Sequence, residues 1–418
     1  MTDPMTPAAG GKPRTSGLTF IVAATVVAGV AAYVVTWLVP ATIGGTRYAV
    51  FAVFWSSLYL VVGGLSGIQQ EVTRASRPIT AGVRPTSRTR DFGLILASVA
   101  LVVSLGTAPL WVATVFPEGG WALVLPLVVG MTGYVLVATL AGALYGVSQW
   151  TAVALLIIVD SLFRLAAISI VLRLTADVVA LAWAAALPFG GTLVLVWLSI
   201  RKSIVGRSEL DVGFGGLTWN VSRTLVASFS SAAMVSGYPL LLGITSPGES
   251  ARVLATLFLS VMLTRAPLIV FVMALQGYLI VRFRTVGEGY GRLLVSILVA
   301  ISIAGVILAA AAWWLGPPIF TFLFPDELVV SGGFFSVLVA SSALIAMLCV
   351  MAPAVLARDD HVTYSVGWLV AALVTIAALV TPFDVLTRVT LSVILGPAAG
   401  LIVHGLSQLR SRVGGAGA

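Results

Sequence analysis

The sequence predicts an all-α polytopic membrane protein with about twelve transmembrane helices, arranged as two pseudo-symmetric six-helix bundles around a central cavity. Composition is the first indication, because 59% of the 418 residues are hydrophobic and 9% are charged, unlike the balance in a water-soluble domain. Apolar stretches of about 20 residues, the length of a helix that crosses a bilayer, recur along the chain. An internal repeat, with an offset of 208 residues between Pro109 and Pro317, is the third indication.

Twelve apolar stretches are separated by short breaks that contain polar residues, proline or glycine. We predict spanning helices at 18–39, 48–68, 93–116, 121–146, 151–172, 178–200, 221–244, 253–280, 293–314, 331–356, 363–381 and 386–407. The first stretch follows Lys12 and Arg14 and is too long for the apolar core of a cleaved signal peptide. We therefore expect it to remain as the first membrane helix.

The distribution of positive charge predicts location and topology. Most arginine and lysine residues lie in the loops on the side of the N-terminus, whereas the opposite loops hold Arg47, Arg173, Arg252 and Arg388. Because cytoplasmic loops are enriched in these residues, we expect a multi-pass protein of the cell inner (cytoplasmic) membrane with both termini in the cytoplasm. The net charge of +8 lies beside membrane segments instead of in a basic domain, so no nucleic-acid partner is expected.

The repeat divides the chain into two halves. Arg47 precedes the second predicted helix as Arg252 precedes the eighth, and the segment FPE at 116–118 matches FPD at 324–326. Six spans per half is an even number, so both halves have the same orientation in the membrane. The predicted domains are a cytoplasmic N-terminal tail (1–17), an N-terminal six-helix bundle (18–200), a cytoplasmic linker (201–220), a C-terminal six-helix bundle (221–407) and a cytoplasmic C-terminal tail (408–418).

Prolines inside the predicted spans are hinge candidates. Two facing bundles enclose a space at their interface, where carriers bind substrate near the membrane midplane. A proline within a helix removes one backbone hydrogen bond and kinks the helix. The hinge candidates are Pro126, Pro239, Pro267 and Pro353, although proline is generally frequent in membrane helices.

Asp160 and Arg164 are ionisable residues in the middle of the fifth predicted helix. A charge at membrane depth costs roughly 3 to 15 kcal/mol, so it needs a partner, a cavity or a function. Their spacing of four residues places them on one helix face as an ion pair. One interpretation is a neutral structural pair. The other is a cavity pair in which Arg164 binds an anionic substrate and Asp160 exchanges with a coupling proton or sodium ion.

Arg265 is a third interior charge, in the middle of the eighth predicted helix and directly before Ala266 and Pro267. No acidic residue lies within one helical turn of it in the sequence. A guanidinium without a partner in its own helix suits a phosphate group, and we predict that Arg265 binds substrate. The alternatives are an ion pair with Asp160 from the other half, or contact with water through its long side chain.

Polar residues at two corresponding helix ends are candidates for an inner gate. Gln69, Gln70 and Glu71 lie at the cytoplasmic end of the second predicted helix, and Gln276 lies at the matching place in the eighth. Glutamine is also common at helix ends without any special role.

Motifs of enzyme chemistry do not occur in the sequence. It has no phosphate-binding glycine loop with lysine, no serine-centred elbow and no soluble domain to hold an active site. The single cysteine, Cys349, and the two histidines, His361 and His404, lack any metal-ligand spacing. We expect neither a metal nor a cofactor, and we do not expect an enzyme.

Three features of the sequence resemble those of the MOP superfamily. This superfamily contains polysaccharide and oligosaccharide-lipid flippases, lipid II flippases and MATE drug exporters. The segment AGALYG at 141–146, followed by DSLFRL at 160–165, is similar to the family's glycine-containing turn and the acid and arginine of its next helix. The segment LGPPIFTFLFP at 315–325 resembles the exit of the ninth helix in these flippases, with Pro325 in place of the usual glycine. The third feature is the six-plus-six duplication.

This resemblance implies a V-shaped pair of bundles with alternating access and a cationic cavity for a polyprenyl pyrophosphate-linked sugar, used in polysaccharide or cell-envelope synthesis. Arg265 lies in the helix where lipid II flippases place a cavity arginine. The implied partners are the lipid-linked glycan, membrane lipids and glycan polymerases or glycosyltransferases. Lipid II flippases often have two further C-terminal helices, so twelve helices favour the oligosaccharide-lipid or exopolysaccharide branch.

Two other functions are compatible with the sequence. A MATE-like drug or cation antiporter would need acidic residues in its cavity, and here the interior arginines outnumber the interior acids two to one. A non-transporting membrane scaffold for glycan assembly would tolerate the loss of both Arg164 and Arg265.

Overall fold

The computed structural model describes residues 15–78, 89–118, 120–204, 208–210, 213–285, 289–325, 327–358 and 360–415. These residues form thirteen helices: α1 (Thr15–Ile43), α2 (Gly45–Ala75), α3 (Thr89–Val115), α4 (Gly120–Gly146), α5 (Trp150–Leu174), α6 (Val178–Ile204), α7 (Phe214–Val235), α8 (Tyr238–Thr245), α9 (Ala251–Thr285), α10 (Tyr290–Leu323), α11 (Gly332–Leu356), α12 (His361–Leu379) and α13 (Val385–Gly415). Two three-residue strands, β1 (Ser76–Pro78) and β2 (Ser208–Leu210), pair in antiparallel orientation.

Helix length and apolarity confirm the predicted fold class of a polytopic all-α membrane protein. Ten helices in the described part of the chain are long and apolar enough to cross a membrane, and the bent pair α7 and α8 forms a further candidate span. Helix α9 coincides with the predicted eighth span, although the side chains at 266–278 within it lie outside the described residues. Most of the apolar surface of helices such as α3 and α10 faces outward, as expected for contact with lipid.

The predicted seventh span, 221–244, is not one continuous helix, which corrects the sequence-based assignment. Helices α7 and α8 meet at a bend of 76°, and Pro239 lies in the first turn of α8. Proline is favoured in the first turn of a helix because the N–H group that it lacks has no partner there. Pro239 therefore begins a helix and does not kink one. By contrast, Pro126 and Pro353 are buried inside α4 and α11, where a hinge role remains a prediction.

Several helices continue beyond the apolar stretches from which they were predicted. Helix α2 reaches Ala75, α6 reaches Ile204 and α13 reaches Gly415. The start of the predicted linker and most of the predicted C-terminal tail are therefore helical. A helix can continue past the hydrocarbon because its backbone hydrogen bonds are internal, while side chains such as Arg74 extend into water.

The helices of the two halves pack in the same pattern. In the first half, α4 contacts α2, α3 and α6, while α5 contacts α1 and α6. In the second half, α11 contacts α9, α10 and α13, while α12 contacts α7 and α13. Helices α7 and α8 together thus correspond to α1, and α9 to α13 correspond to α2 to α6. This repeated packing agrees with the six-plus-six organisation.

Helix α2 forms the main contact between the halves, against α7, α8 and α9. Glycines allow its close approach to α7. A Cβ atom on Gly64 would lie 2.4 Å from the ring of Phe229, and one on Gly63 would lie 2.7 Å from the Cβ of Ala232. Small residues at helix contacts let backbones approach inside a membrane, where apolar surface area alone does not drive association.

Candidate functional site

A cavity of about 360 Å³ lies inside the first half, between α1, α2, α4, α5 and α6. Its lining is mainly apolar with five aromatic side chains, and it includes two of the three predicted interior charges; we call it the aromatic cavity. The aromatic residues are Trp55, Tyr59, Tyr134, Tyr145 and Phe189, and the polar residues are Gln69, Asp160, Ser161 and Arg164. This cavity is enclosed by helices of one half, whereas the sequence predicted a cavity between the halves.

Asp160 and Arg164 form the ion pair that their spacing predicts. The Nη2 atom of Arg164 donates to both carboxylate oxygens of Asp160 at 2.7 Å, and its Nη1 atom donates to the carbonyl of Ala185. The guanidinium carbon lies 4.1 Å from the centroid of the Phe189 ring. The Arg164 side chain is 4% exposed and that of Asp160 is 24% exposed. The accessible member of the pair is therefore the acid.

The aromatic lining of this cavity was missed by sequence reasoning. Trp55 and Tyr59 are four residues apart on α2, a spacing that places both on one helix face. Their ring centroids are 4.6 Å apart, and the ring of Tyr59 lies 5.8 Å from the guanidinium carbon of Arg164. The spacing was visible in the sequence, but aromatic residues also occupy lipid interfaces and helix contacts, so it did not identify a cavity.

Arg265 is a residue of α9, and its side chain lies beside the break between α7 and α8. Arg265 is 4% exposed, its Nη1 atom donates to the carbonyl of Met234 at 3.4 Å, and its Nε atom has no partner among the described residues. The guanidinium carbon stands 4.6 Å from the centroid of the Tyr238 ring. The hydroxyl of Tyr238 in turn bonds Ser392 on α13 at 2.8 Å. Arg265 is thus a buried cation whose described neighbours are neutral.

The two interior arginines are not brought together. The described partners of Arg164 lie on α2, α5 and α6, whereas those of Arg265 lie on α7 and α8. Asp160 is bonded to Arg164, and the described residues show no ion pair between Asp160 and Arg265. The alternative in which Arg265 pairs with Asp160 is therefore not realised in this structure.

The candidate gate residues have different environments. Gln69 lines the aromatic cavity, Gln70 is exposed, and Glu71 is 5% exposed. The carboxylate of Glu71 accepts a hydrogen bond from the Thr224 hydroxyl on α7 at 2.6 Å and another from Arg74 at 3.3 Å. Glu71 thus connects the two halves. The side chains of Gln276 and of the hinge candidate Pro267 lie outside the described residues, although both positions belong to α9.

In the described part of the chain, no group of three or more histidine, cysteine, aspartate or glutamate residues could hold a metal ion. Cys349 is buried. His404 is also buried, with its Nε2 atom 3.4 Å from the carbonyl of Tyr364.

Sequence comparison finds relatives that align over nearly the whole chain. No protein-family model matches the chain. The chain is 30% identical to the uncharacterized protein Mb3654 of Mycobacterium bovis, over 97% of this chain and 94% of that protein. It is 32% identical to the uncharacterized protein Rv1510 of Mycobacterium tuberculosis, over 91% of this chain and 89% of that protein.

Structure comparison finds transporters of the MOP superfamily. An inward-facing multidrug resistance MATE family transporter matches with a TM-score of 0.65 at 13% identity, covering 95% of this chain and 97% of that one. An outward-facing MATE structure matches with a TM-score of 0.63 at 13% identity, over 94% and 95%. A MOP superfamily transporter from Pyrococcus furiosus, described by a binding pocket of reverse polarity, matches with a TM-score of 0.62 at 14% identity, over 94% and 95%. At these identities the likeness shows the MATE-like fold.

Proposed function

This chain belongs to the same protein family as Mb3654 and Rv1510, and we propose that it is an alternating-access carrier for an anionic glycolipid. The proposed substrate is an oligosaccharide linked to a polyprenyl phosphate or pyrophosphate, moved across the cytoplasmic membrane for polysaccharide or cell-envelope synthesis. The supporting observation is Arg265, a buried guanidinium at the break between α7 and α8 with neutral described neighbours.

Arg265 is poorly compensated for a charge in a membrane. A guanidinium has five N–H donors, and the described hydrogen bond uses one of them at 3.4 Å. The Tyr238 ring adds a cation–π contact of roughly 1 to 2 kcal/mol, which is small beside the cost of a charge at membrane depth. A phosphate would accept several of the remaining donors in charge-assisted hydrogen bonds.

The helix break strengthens the attraction for an anion. Helix α8 begins at Tyr238, whose ring lies against Arg265. The macrodipole of a helix places partial positive charge at its N-terminus, which favours a nearby negative charge. Membrane carriers use the N-termini of broken helices in this way for anionic groups of their substrates. The positive end of α8 and the guanidinium of Arg265 therefore converge on one region.

Export of such a substrate is favourable in an energised membrane. With the cytoplasm negative, each net negative charge that moves outward gains up to about 2.3 kcal/mol per 100 mV. The carrier then needs only to shield the phosphate and sugar from hydrocarbon. We call the contact between the two halves along α2 the seam. If the seam opened alternately to the two sides of the membrane, it would supply that shielded path.

Depletion of the protein in its own cell tests the proposal. We expect lipid-linked glycan intermediates to accumulate on the cytoplasmic face of the membrane, measured by labelling of intact and permeabilised spheroplasts with a sugar-specific lectin. A strain re-expressing the chain is the control. Unchanged glycan intermediates on both faces would contradict the flippase function.

A MATE-like drug or cation antiporter is the second candidate, because the accessible charge of the aromatic cavity is the carboxylate of Asp160. Aromatic faces and a carboxylate suit an organic cation. In that case Asp160→Asn would abolish efflux of a fluorescent lipophilic cation from loaded cells, while glycan intermediates would stay normal on depletion. Efflux that is equal in wild-type and depleted cells would exclude this candidate.

A further inference from the structure

A second cavity, of about 240 Å³, lies where the first half meets α8. Its walls come from α2, α3, α4 and α8. They include Ser57, Leu60, Val61, Trp111, Met131 and Leu240. Among the described lining residues, Leu240 is the one from the second half. We call this space the lateral cavity.

The lateral cavity and Arg265 lie on opposite sides of α8. Tyr238, with its ring against Arg265, and Leu240, which lines the lateral cavity, are two residues apart. Since successive residues rotate by about 100° around a helix, their side chains point about 200° apart. Helix α8 is therefore a wall with a cation on one side and an apolar space on the other.

The lateral cavity lies beside a surface that faces lipid. Helix α3 contributes Trp111, which is half-buried, and the same helix exposes Val102 by 69% and Leu110 by 83%. Leu60 and Val61 of α2 are also half-buried. A hydrocarbon chain in the bilayer could therefore reach this space without crossing a polar region.

The volume of the lateral cavity suits a short piece of such a chain. An apolar cavity of about 150 Å³ accommodates benzene, with six carbons. By that scale about 240 Å³ accommodates roughly ten carbons, or two isoprenoid units. The apolar lining gives no hydrogen-bonding reason for water to fill the space instead.

Helix α8, which forms this wall, contacts α2 of the first half at the break between α7 and α8. A Cβ atom on Gly237 would lie 2.4 Å from Leu60, so the N-terminus of α8 packs directly against a residue of the lateral cavity. Ser56 lies four residues before Leu60 on α2. Its hydroxyl donates to the carbonyl of Ser236 at 2.7 Å and accepts from the N–H of Leu240 at 3.1 Å. Separation of the halves would release α8 from both contacts.

We infer that the lateral cavity binds the isoprenoid units next to the phosphate of a lipid-linked substrate whose phosphate contacts Arg265. Helix α8 separates the two sites in this structure, so the phosphate and the isoprenoid units occupy them together only after α8 has moved away from α2. This inference rests on the proposed function, and it specifies where the lipid part of the substrate lies during transport.

Position, and not affinity, is the quantity to measure. Bilayer hydrocarbon is as apolar as the cavity, so a chain gains little free energy when it moves from one to the other. The probe is a polyprenyl phosphate with a diazirine in its first isoprenoid unit, added to the full chain in phospholipid nanodiscs. After illumination, mass spectrometry identifies the labelled peptides.

We expect labelling at the peptides that contain Leu60 and Val61, Trp111 and Leu240. Val61→Trp, which fills the lateral cavity, should lower this labelling at least fivefold. The matched control is Val102→Trp, which adds the same side chain to the lipid-facing side of α3 and should leave the yield within twofold of the wild type. Met131→Phe is a second filling variant, and thermal melting in detergent verifies that each variant is folded.

Three results would overturn the inference. Labelling by Val61→Trp and Met131→Phe at the wild-type yield would exclude the cavity. Equal labelling of the same peptides by a diazirine phosphatidylglycerol that polyprenyl phosphate does not displace would assign the cavity to ordinary membrane lipid. Labelling that Arg265→Gln leaves unchanged would remove the proposed function as well. If Arg265→Gln lowers labelling but the filling variants do not, the proposed function stands and this inference falls.

Discussion

At the residue scale, the two interior arginines differ in how their charges are balanced. Arg164 donates to a carboxylate and a carbonyl and stacks on Phe189. Among the described residues, Arg265 has one long hydrogen bond, an aromatic face and an Nε atom without a partner. A buried arginine with a carboxylate partner needs no further compensation, whereas an uncompensated one requires a ligand or a conformational change. We therefore expect different effects when the two sites are substituted: weaker binding at Arg265 and lower stability at the pair of Asp160 and Arg164.

Substitution of Arg265 should weaken binding of an anionic substrate without loss of protein. For Arg265→Ala we expect about a 10- to 100-fold lower affinity for a polyprenyl pyrophosphate sugar, because a hydrogen bond to a charged group contributes about 1.5 to 3 kcal/mol. Arg265→Lys should recover part of that affinity, since it keeps the charge and loses the planar fork. Affinity is measured by binding to the purified protein, and an unchanged value for Arg265→Ala would remove Arg265 from the site.

Substitution of Asp160 alone should destabilise the first half. Asp160→Asn leaves Arg164 buried beside a neutral side chain, and breaking a buried pair in this way costs about 3 to 5 kcal/mol. The double variant Asp160→Leu and Arg164→Met, which removes both charges, should recover most of the lost melting temperature. Thermal melting in detergent measures both effects. A pair that is only structural predicts normal transport by the double variant, and a pair that takes part in transport predicts a stable but inactive one.

At the scale of the secondary-structure elements, α8 is distinctive because other helices satisfy both of its ends. Ser56 of α2 bonds to the carbonyl and N–H groups at its N-terminal break. At the other end, Arg388 of α13 donates at 2.8 Å to the carbonyl of Thr245, the last residue of α8. Arg388 also donates at 3.2 Å to the carbonyl of Leu379, the last residue of α12. Such external partners are needed because helix ends leave backbone groups unpaired, which is costly in a membrane.

Loss of the Ser56 hydroxyl should loosen the break between α7 and α8. Ser56→Ala removes one donor and one acceptor from two buried backbone groups, so we expect a loss of about 1 to 3 kcal/mol in stability. The neighbouring Ser57→Ala is the matched control, because its hydroxyl bonds only to the carbonyl of Val53 in its own helix. Melting temperature and hydrogen exchange at 236–241 are measured for both variants. Equal effects of the two substitutions would contradict a specific role for Ser56.

At the scale of the whole molecule, α2 connects the two halves from its middle to its C-terminal end, which the distribution of positive charge predicts to be the inner end. Its glycines pack against α7 near Phe229 and Ala232, and Glu71 bonds Thr224 near its inner end. Beyond this point, β1 pairs with β2, which joins the segment after α2 to the segment between α6 and α7. A carrier with alternating access must separate the halves at one end while the other stays closed. The contacts of Glu71 are candidates for the inner closure.

Removal of the Glu71 contact should open the inner end. For Glu71→Ala we expect a severalfold faster reaction of a cysteine placed at Gln69 with a membrane-impermeant maleimide, because Thr224 loses its partner across the seam. Gln70→Ala changes an exposed neighbour and is the control. Labelling is carried out on inside-out vesicles in a background with Cys349→Ala. If Glu71→Ala and Gln70→Ala label at the same rate, Glu71 is not part of a gate.

The fold class follows from properties that a single stretch of sequence contains. Apolar length predicts a membrane helix because the hydrocarbon leaves the backbone no partners other than its own. The ion pair of Asp160 and Arg164 is predictable for a similar reason, since residues four apart in one helix are neighbours whatever the rest of the chain does.

Other features depend on contacts between segments that are distant in the chain, so they are visible in the folded protein and not in the sequence. The sequence does not reveal that the seventh span breaks before Tyr238, because the Ser56 hydroxyl that satisfies the break lies 180 residues away from Ser236. The neutral surroundings of Arg265, the aromatic cavity inside the first half and the bond from Thr224 to Glu71 are of the same kind. Apolar length, charge placement and the internal repeat predict a duplicated bundle of membrane helices with three interior charges. The packing of those helices gives Arg164 a carboxylate and a carbonyl from its own half, whereas the described neighbours of Arg265 are neutral, because compensation of a buried charge depends on groups that folding brings together.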